Sequence, residues 1–339
     1  MFAEFWGDST VVGQVGPSAG KSFASLLASK FGLPVRMNAA NGSCSADQAI
    51  VAQSLSFAPT SISVILEGVN DTQRYFTPAQ HAYFKGFYAE LLSRLSYLSR
   101  VSCRDAGMVK TGAWANTQPG WSEGCSSNTA GSTASAVLKG RTFLVGTTLQ
   151  DYFGSPVPGV AEVRVDGDLV GAYSSNGQGM PTAHNTFAPA AFRFPGKEEG
   201  EYTVEVKVIS GFIYLEYLLG SEQPQGEKIF ALTPTRTYQP SDNGAMSTAL
   251  GIIVKQLVLD FQADGRDVHL VDVAAKQTPA HVTADLIHLN DAFNKIIADD
   301  VFAAYMSALP PPVFTETICY ESEGKGYMGI GGRMVQVYP

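Results

Sequence analysis

A serine, a histidine and an aspartate stand in this sequence in settings that suit nucleophilic catalysis. Ser9 lies in Gly7-Asp8-Ser9-Thr10, directly after the apolar run 1–6. A serine where a strand turns into a helix has its hydroxyl at the sheet edge and its own N–H near the positive end of the helix. One such turn supplies a nucleophile and an oxyanion donor. Far downstream, Asp285-Leu286-Ile287-His288 places a carboxylate three residues before an imidazole. That spacing lets Asp285 hold one ring nitrogen of His288 and leave the other for a serine hydroxyl, which fixes the tautomer and stabilises the imidazolium. Asn70, in Gly68-Val69-Asn70-Asp71, ends the β-branched run 61–67. It therefore stands at a strand's C-terminal end, where open α/β sheets gather ligands, with an amide able to donate to an oxyanion. Gly42, in Asn41-Gly42-Ser43, has no β-carbon, so its N–H can approach a reacting oxygen closely. Each motif also has a plainer reading: a loop serine, a capping aspartate, an Asn-Asp pair that opens a turn.

The elements that must position these residues follow from the apolar spacing. Strands are predicted near 2–7, 34–38 and 61–67, alternating with helices near 22–31, 46–55 and 78–99. Such alternation implies a parallel sheet with right-handed crossovers. From about 105 the pattern changes to short alternating runs broken by Gly, Ser, Asn and Pro, with a hairpin signal at Asp166-Gly167. Strands at this spacing without helical runs read as a β-sandwich. The α/β pattern resumes with a strand at 228–233, a helix near 244–262, a strand at 268–273 and a helix over 291–306. The expected organisation is α/β at 1–104, an inserted sandwich at 105–225, α/β again at 226–309, and a C-terminal extension at 310–339 with strand-like runs at 313–320 and 333–338.

In this order and context the four motifs resemble the SGNH hydrolase superfamily, the GDSL-like esterases, named for a serine, a glycine, an asparagine and a histidine in four blocks. Ser9, Gly42, Asn70 and His288 match them one by one, with Asp285 as the usual partner of the histidine. The resemblance covers about 1–100 and 228–306. It implies a flavodoxin-like three-layer α/β/α fold, Ser9 as nucleophile, His288 as base, and an oxyanion hole made by the N–H groups of Ser9 and Gly42 and the side chain of Asn70. Thr10 departs from the leucine of the namesake motif, at a position that varies across the superfamily. An inserted sandwich resembles the accessory sandwiches of polysaccharide-acting members, so the resemblance points to removal of O-acetyl groups from a glycan, without metal or cofactor. Two alternatives stay open: a lipid or short-chain esterase, and a non-catalytic glycan-binding protein such as a phage tail receptor-binding protein.

Composition narrows the partners. The chain has 339 residues, 45% hydrophobic and 16% charged, enough apolar content for large cores. A net charge of −8 with no basic cluster disfavours a nucleic-acid partner. No apolar run reaches membrane-spanning length, and no signal peptide is recognised, so an extracellular or virion-associated setting rests on the resemblance alone. A homo-oligomer is compatible with the tail. Of the four cysteines, Cys103 and Cys125 flank a loop-rich stretch and could pair; Cys44 reads as a packing residue, and Cys319 lies in the tail. Gly16-Pro17-Ser18-Ala19-Gly20-Lys21-Ser22 mimics a phosphate-binding loop but has three residues, not four, before Gly-Lys. His81, His184, His269 and His281 lack the Asp-x-x-His setting and read as surface or packing residues. A loop around His184 (176–189) that folds over the site, and Arg74 and Tyr75 lining its mouth, are weaker expectations than solvated loops.

Overall fold

The structure is a computed structural model that describes residues 2–13, 16–55, 61–72, 77–116, 124–151, 157–177, 180, 187–195, 197–239 and 244–309, and the strand segments 319–322, 325–330 and 333–336. His184, Arg74 and Tyr75 lie outside the described residues. The chain divides into two compact units, Met1–Phe302 and Ala303–Pro339.

The first unit is built on a parallel sheet of five strands in the order Val268–Val271, Lys228–Leu232, Ile62–Leu66, Ala3–Gly7, Val35–Met37. All five residues of Ala3–Gly7 and of Ile62–Leu66 are buried, as strands covered on both faces require. Trp6, Ile65, Ile229 and Ala231 share a core with Ala46, Ala49, Phe84, Tyr88, Leu91, Leu250 and Val254, from the helices Ser45–Gln53, Pro78–Ser96 and Ala245–Ala263. Phe5 points the other way and meets Phe23 of the helix Phe23–Phe31 edge-on at 6.2 Å. Two of these helices have capped N-termini. Ser22 caps one by accepting from Ser25 N–H, and Thr77 with Gln80 forms a capping box.

Antiparallel sheets fill the stretch between the third and fourth strands of the parallel sheet. A five-stranded sheet and a four-stranded sheet enclose a second core of Val145, Ala161, Val163, Val204, Val206 and Leu218, among others. Asp166 and Gly167 both adopt positive φ, 49° and 87°, and close the hairpin between Val160–Val165 and Asp168–Ser174. Strand Val101–Ser102 pairs with Tyr217–Gly220, so residues just ahead of the change in composition already belong to these sheets.

The four-stranded sheet does not stand apart from the α/β part. Its residues Leu144, Ala188, Ala190, Tyr217 and Leu219 belong to the same core as the helix Pro78–Ser96. Tyr217 Oη donates to Glu90 Oε2 at 2.6 Å, and Arg94 Nε donates to Glu90 Oε1 at 2.6 Å. Gly146 gives the tyrosine ring its space, since a β-carbon there would lie 2.1 Å from it. Arg193, on the strand Phe187–Pro195, grips Asp264 with two hydrogen bonds of 2.9 and 2.8 Å, a bidentate geometry that favours a fixed orientation.

The second unit contains a three-stranded antiparallel sheet of Cys319–Ser322, Lys325–Ile330 and Arg333–Gln336. Residues 313–318 of the strand-like run in the tail fall outside the described residues. No helix among the described residues is long and apolar enough to cross a membrane.

Candidate active site

Gly7 ends the first strand at φ 147°, where a β-carbon would strike the Leu66 carbonyl oxygen at 2.1 Å. Only glycine fits there, and the chain turns at once into the short helix Ser9–Val12. Asp8 caps that helix: its Oδ1 accepts from Thr10 N at 2.8 Å and from Thr10 Oγ1 at 2.6 Å. Thr10 thus has a task leucine could not perform. Ser9 is left half-buried at the start of the helix.

The histidine comes from the other end of the chain. His288 Nε2 lies 3.0 Å from Ser9 Oγ, across 279 positions of sequence. His288 Nδ1 lies 2.7 Å from Asp285 Oδ2. Asp285 Oδ1 accepts from Thr283 Oγ1 at 2.7 Å, Ile287 N at 2.9 Å and His288 N at 3.0 Å. Partial burial pushes the Asp285 carboxyl up, but these donors, led by His288, outweigh it and hold the group well below the usual carboxylate range. The turn between them is strained: Leu286 takes φ 64°, costly for a branched side chain. Backbone bonds keep it there, from Leu286 N to Thr283 O at 3.0 Å and from Tyr238 N to Leu286 O at 2.8 Å.

The phosphate-loop look-alike docks this histidine loop. Ser18 donates from its backbone N–H to Asp291 Oδ1 at 2.7 Å and from its hydroxyl to Asp291 Oδ2 at 2.9 Å. Phe23 N donates to Asn294 Oδ1 at 2.9 Å. The stretch after the Ser9 helix therefore clasps the start of the helix Asp291–Ala308, just beyond His288. Its motif carried no hint of this role, because its partners are more than 270 residues away.

The glycine and asparagine motifs are tied to the same turn. Ala40 N, Ser43 Oγ and Gln48 Nε2 converge on the carbonyl of Gly7, at 3.1, 2.8 and 3.0 Å. Asn70, in the short helix Val69–Thr72, donates from Nδ2 to Ser43 O at 2.8 Å, and an amide carries a second N–H. Gly42 takes φ 75° in exposed backbone, with nothing within 4 Å of where a β-carbon would stand. Asp71 braces this arrangement by accepting from Ser45 Oγ at 2.6 Å and from Ser45 N. Its burial pushes the carboxyl up to about 7.

The remaining histidines sit in other contacts. His81 Nε2 meets Met246 Sδ at 3.0 Å. His269 bonds Asp267 at 2.6 Å and stacks on Phe230. His281 stacks on Phe293. Cys44, Cys103 and Cys125 are buried free thiols; Cys125 Sγ contacts Cys103 O at 3.3 Å and Lys110 Nζ at 3.5 Å. No cluster of His, Cys, Asp and Glu among the described residues has the arrangement of a metal site.

No protein-family model matches this chain, and no curated protein matches it. Among solved structures, a two-domain esterase active on acetylated mannans is 14% identical over 67% of this chain and 92% of its own, with a TM-score of 0.36. A salicylyl-acyltransferase from a tetracycline biosynthetic pathway is 11% identical over 62% of this chain and 98% of its own, with a TM-score of 0.28. The CBM36-1 domain of a multidomain xylanase from the hindgut metagenome of Trinervitermes trinervoides is 16% identical over 35% of this chain and 93% of its own, with a TM-score of 0.27. At these values the likeness is one of general shape, and the reading of the site rests on its own geometry.

Proposed function

We propose that this chain is a serine ester hydrolase of the SGNH type that removes O-acetyl groups from a carbohydrate. One observation carries the chemistry: the hydrogen-bonded series Asp285, His288, Ser9, with spacings of 2.7 and 3.0 Å. His288 Nε2 takes the Ser9 proton as Oγ attacks the acyl carbonyl, and Asp285 steadies the imidazolium through Nδ1. The N–H groups of Ser9 and Gly42 and the Asn70 amide receive the oxyanion. His288 then gives its proton to the departing sugar oxygen, and water, activated by the same base, releases acetate from Ser9.

The choice of a small acyl group on a polar alcohol is supported by the surroundings of Ser9. Asn41 and Gly42 are exposed, Asn70 is half-buried, and Asp285 is exposed. A long acyl chain needs apolar walls to leave water, and these residues offer none. The antiparallel sheets joined to the helix Pro78–Ser96 add surface beside the α/β part on which a glycan can be held.

The test uses p-nitrophenyl esters of increasing acyl length, followed by acetate release from acetylated polysaccharides. The expected outcome is hydrolysis that falls off beyond short chains and is lost in Ser9→Ala. Full activity of purified Ser9→Ala rejects the assignment. Preference for long chains replaces the glycan reading with a lipid esterase, and binding to a glycan without acetate release replaces it with a lectin-like role.

A further inference from the structure

Two buried acidic residues lead from neighbouring strands into the Ser9 and Asn70 turns. The parallel register pairs Gly7 with Leu66. The next residue on each strand is acidic, Asp8 and Glu67, and both side chains are buried, at 0% and 1% exposure. Asp8 leads into the Ser9 turn and Glu67 into the Asn70 turn. Asp8 Oδ2 and Glu67 Oε1 have no hydrogen-bond partner among the described residues. The Tyr88 hydroxyl, on the helix over the same sheet face, is also buried and unpartnered, and it feels the charge of Glu67.

We propose that Glu67 is a positioning residue that works as a neutral acid, holding a proton that bridges to Asp8 and so ties the nucleophile turn to the oxyanion turn. This rests on the roles proposed above for Ser9 and Asn70. Two adjacent carboxylates in a site closed to water cannot both stay ionised, and the group with fewer donors keeps the proton. Burial raises Asp8 too, but it has two donors from Thr10, at 2.6 and 2.8 Å, with the charge of His288 and the N–H of Val69 also acting to lower it. Glu67 has only the N–H of Gly68, at 3.3 Å. Burial first, then the charges of Asp8 and Asp71 and that of Asp47, push the Glu67 carboxyl well above the carboxylate range. Tyr88 from the helix Pro78–Ser96 and Cys44 at the end of the helix Ser45–Gln53 complete the titratable groups that face it, and none of these is a cation. The turn that Glu67 enters has little room to adjust. Gly68 takes φ 126°, and a β-carbon there would lie 2.7 Å from Pro234.

The proton can be read without any assay of activity. Infrared spectra at neutral pH are taken in an Asp71→Asn background, because Asp71, raised to about 7, supplies a protonated carboxyl of its own. They are expected to show the carbonyl stretch of a protonated carboxyl, which disappears when Glu67→Gln is added and persists when Asp8→Asn is added. Absence of the band in Asp71→Asn, its survival with Glu67→Gln, or its loss with Asp8→Asn overturns the proposal. If the Glu67→Gln protein does not fold, the band in Asp71→Asn and with Asp8→Asn still decides. Kinetics give the second readout. Glu67→Ala should lower kcat roughly ten- to a hundredfold with little change in KM, and Glu67→Gln, which keeps a donor in place, should recover most of that loss. A Glu67→Gln enzyme as impaired as Glu67→Ala overturns the bridging role. A wild type that hydrolyses no ester rejects the functional reading instead and leaves the infrared result standing.

Discussion

Gly16 lies against His288. At φ 110°, a β-carbon on Gly16 would come within 2.5 Å of the Leu289 carbonyl oxygen and 3.3 Å of the His288 β-carbon. The segment 16–22 thus abuts His288 as well as clasping Asp291 and Asn294 beyond it. Gly16→Ala should push the histidine loop outward and lengthen the 3.0 Å contact between His288 Nε2 and Ser9 Oγ. A displacement of about 1 Å in such a pair costs on the order of 10²-fold in rate. We expect kcat on p-nitrophenyl acetate to fall by about that factor while the far-ultraviolet circular dichroism is unchanged. A variant with wild-type kcat would show that this segment does not place His288.

This contact marks the boundary of what the sequence discloses. The strands Ala3–Gly7 and Ile62–Leu66 are legible because a parallel sheet covered on both faces needs continuous apolar runs. Ser9, Asn70 and the Asp285/His288 pair stand out in the sequence because the chemistry proposed for them depends on residue type and on a position at a strand's end. The docking of Ser18 on Asp291 is not legible, since no local period links residues 273 positions apart. The burial of Glu67 is hidden for a related reason: it closes an apolar run, and nothing local to it shows that the fold takes it out of water. The joining of the sandwich to the helix Pro78–Ser96 is equally hidden. The apolar spacing of that helix shows that a face is covered, but not by what.

Asn70 holds Ser43 O at 2.8 Å, next to Gly42, and in the proposed mechanism its amide also donates to the oxyanion. Asn70→Ala loses both donors and should reduce kcat by about 10²–10³. Asn70→Asp also loses both donors but adds a carboxylate that repels the developing oxyanion, so it should fall further at neutral pH. Parallel kcat measurements check the order. An Asn70→Asp enzyme more active than Asn70→Ala would mean that Asn70 does not face the oxyanion.

Asp71 should make stability depend on pH with a sign opposite to that of ordinary paired carboxylates. Burial raises it from 3.8 to about 7, against the pull of the Ser45 hydroxyl and N–H. The folded protein therefore holds this proton after the unfolded chain has released it. The contribution is fully present below about pH 4, declines as pH rises, and is gone above about 7. A gap of that size corresponds to about 4 kcal/mol. Asp71→Asn, which cannot ionise, should lack this decline. Calorimetry between pH 4 and 8 should therefore show the wild type losing stability relative to Asp71→Asn as pH rises. Parallel curves for the two proteins would place Asp71 in the ionised state throughout.

Tyr217 and Glu90 offer a way to loosen the antiparallel sheets without touching the site. Glu90 is fully buried and receives Tyr217 Oη at 2.6 Å and Arg94 Nε at 2.6 Å. Tyr217→Phe keeps the ring in the space left by Gly146 but leaves Glu90 Oε2 without its donor. An unsatisfied buried acceptor costs about 1–3 kcal/mol, so the urea midpoint should fall with an unchanged slope. Neither residue bonds Ser9, His288, Asn70 or the segments that hold them, so kcat/KM on p-nitrophenyl acetate should stay within about twofold of the wild type at temperatures where the variant is folded. The two sheets are expected to contribute to holding a polysaccharide rather than to acyl transfer, so a polymeric substrate is the informative comparison. If Tyr217→Phe weakens turnover of acetylated polysaccharide while sparing the small ester, the orientation of the sheets on the helix Pro78–Ser96 governs access of the polymer to Ser9. Equal losses on both substrates would instead trace the effect to the α/β core that Tyr217 shares with Tyr88 and Trp6.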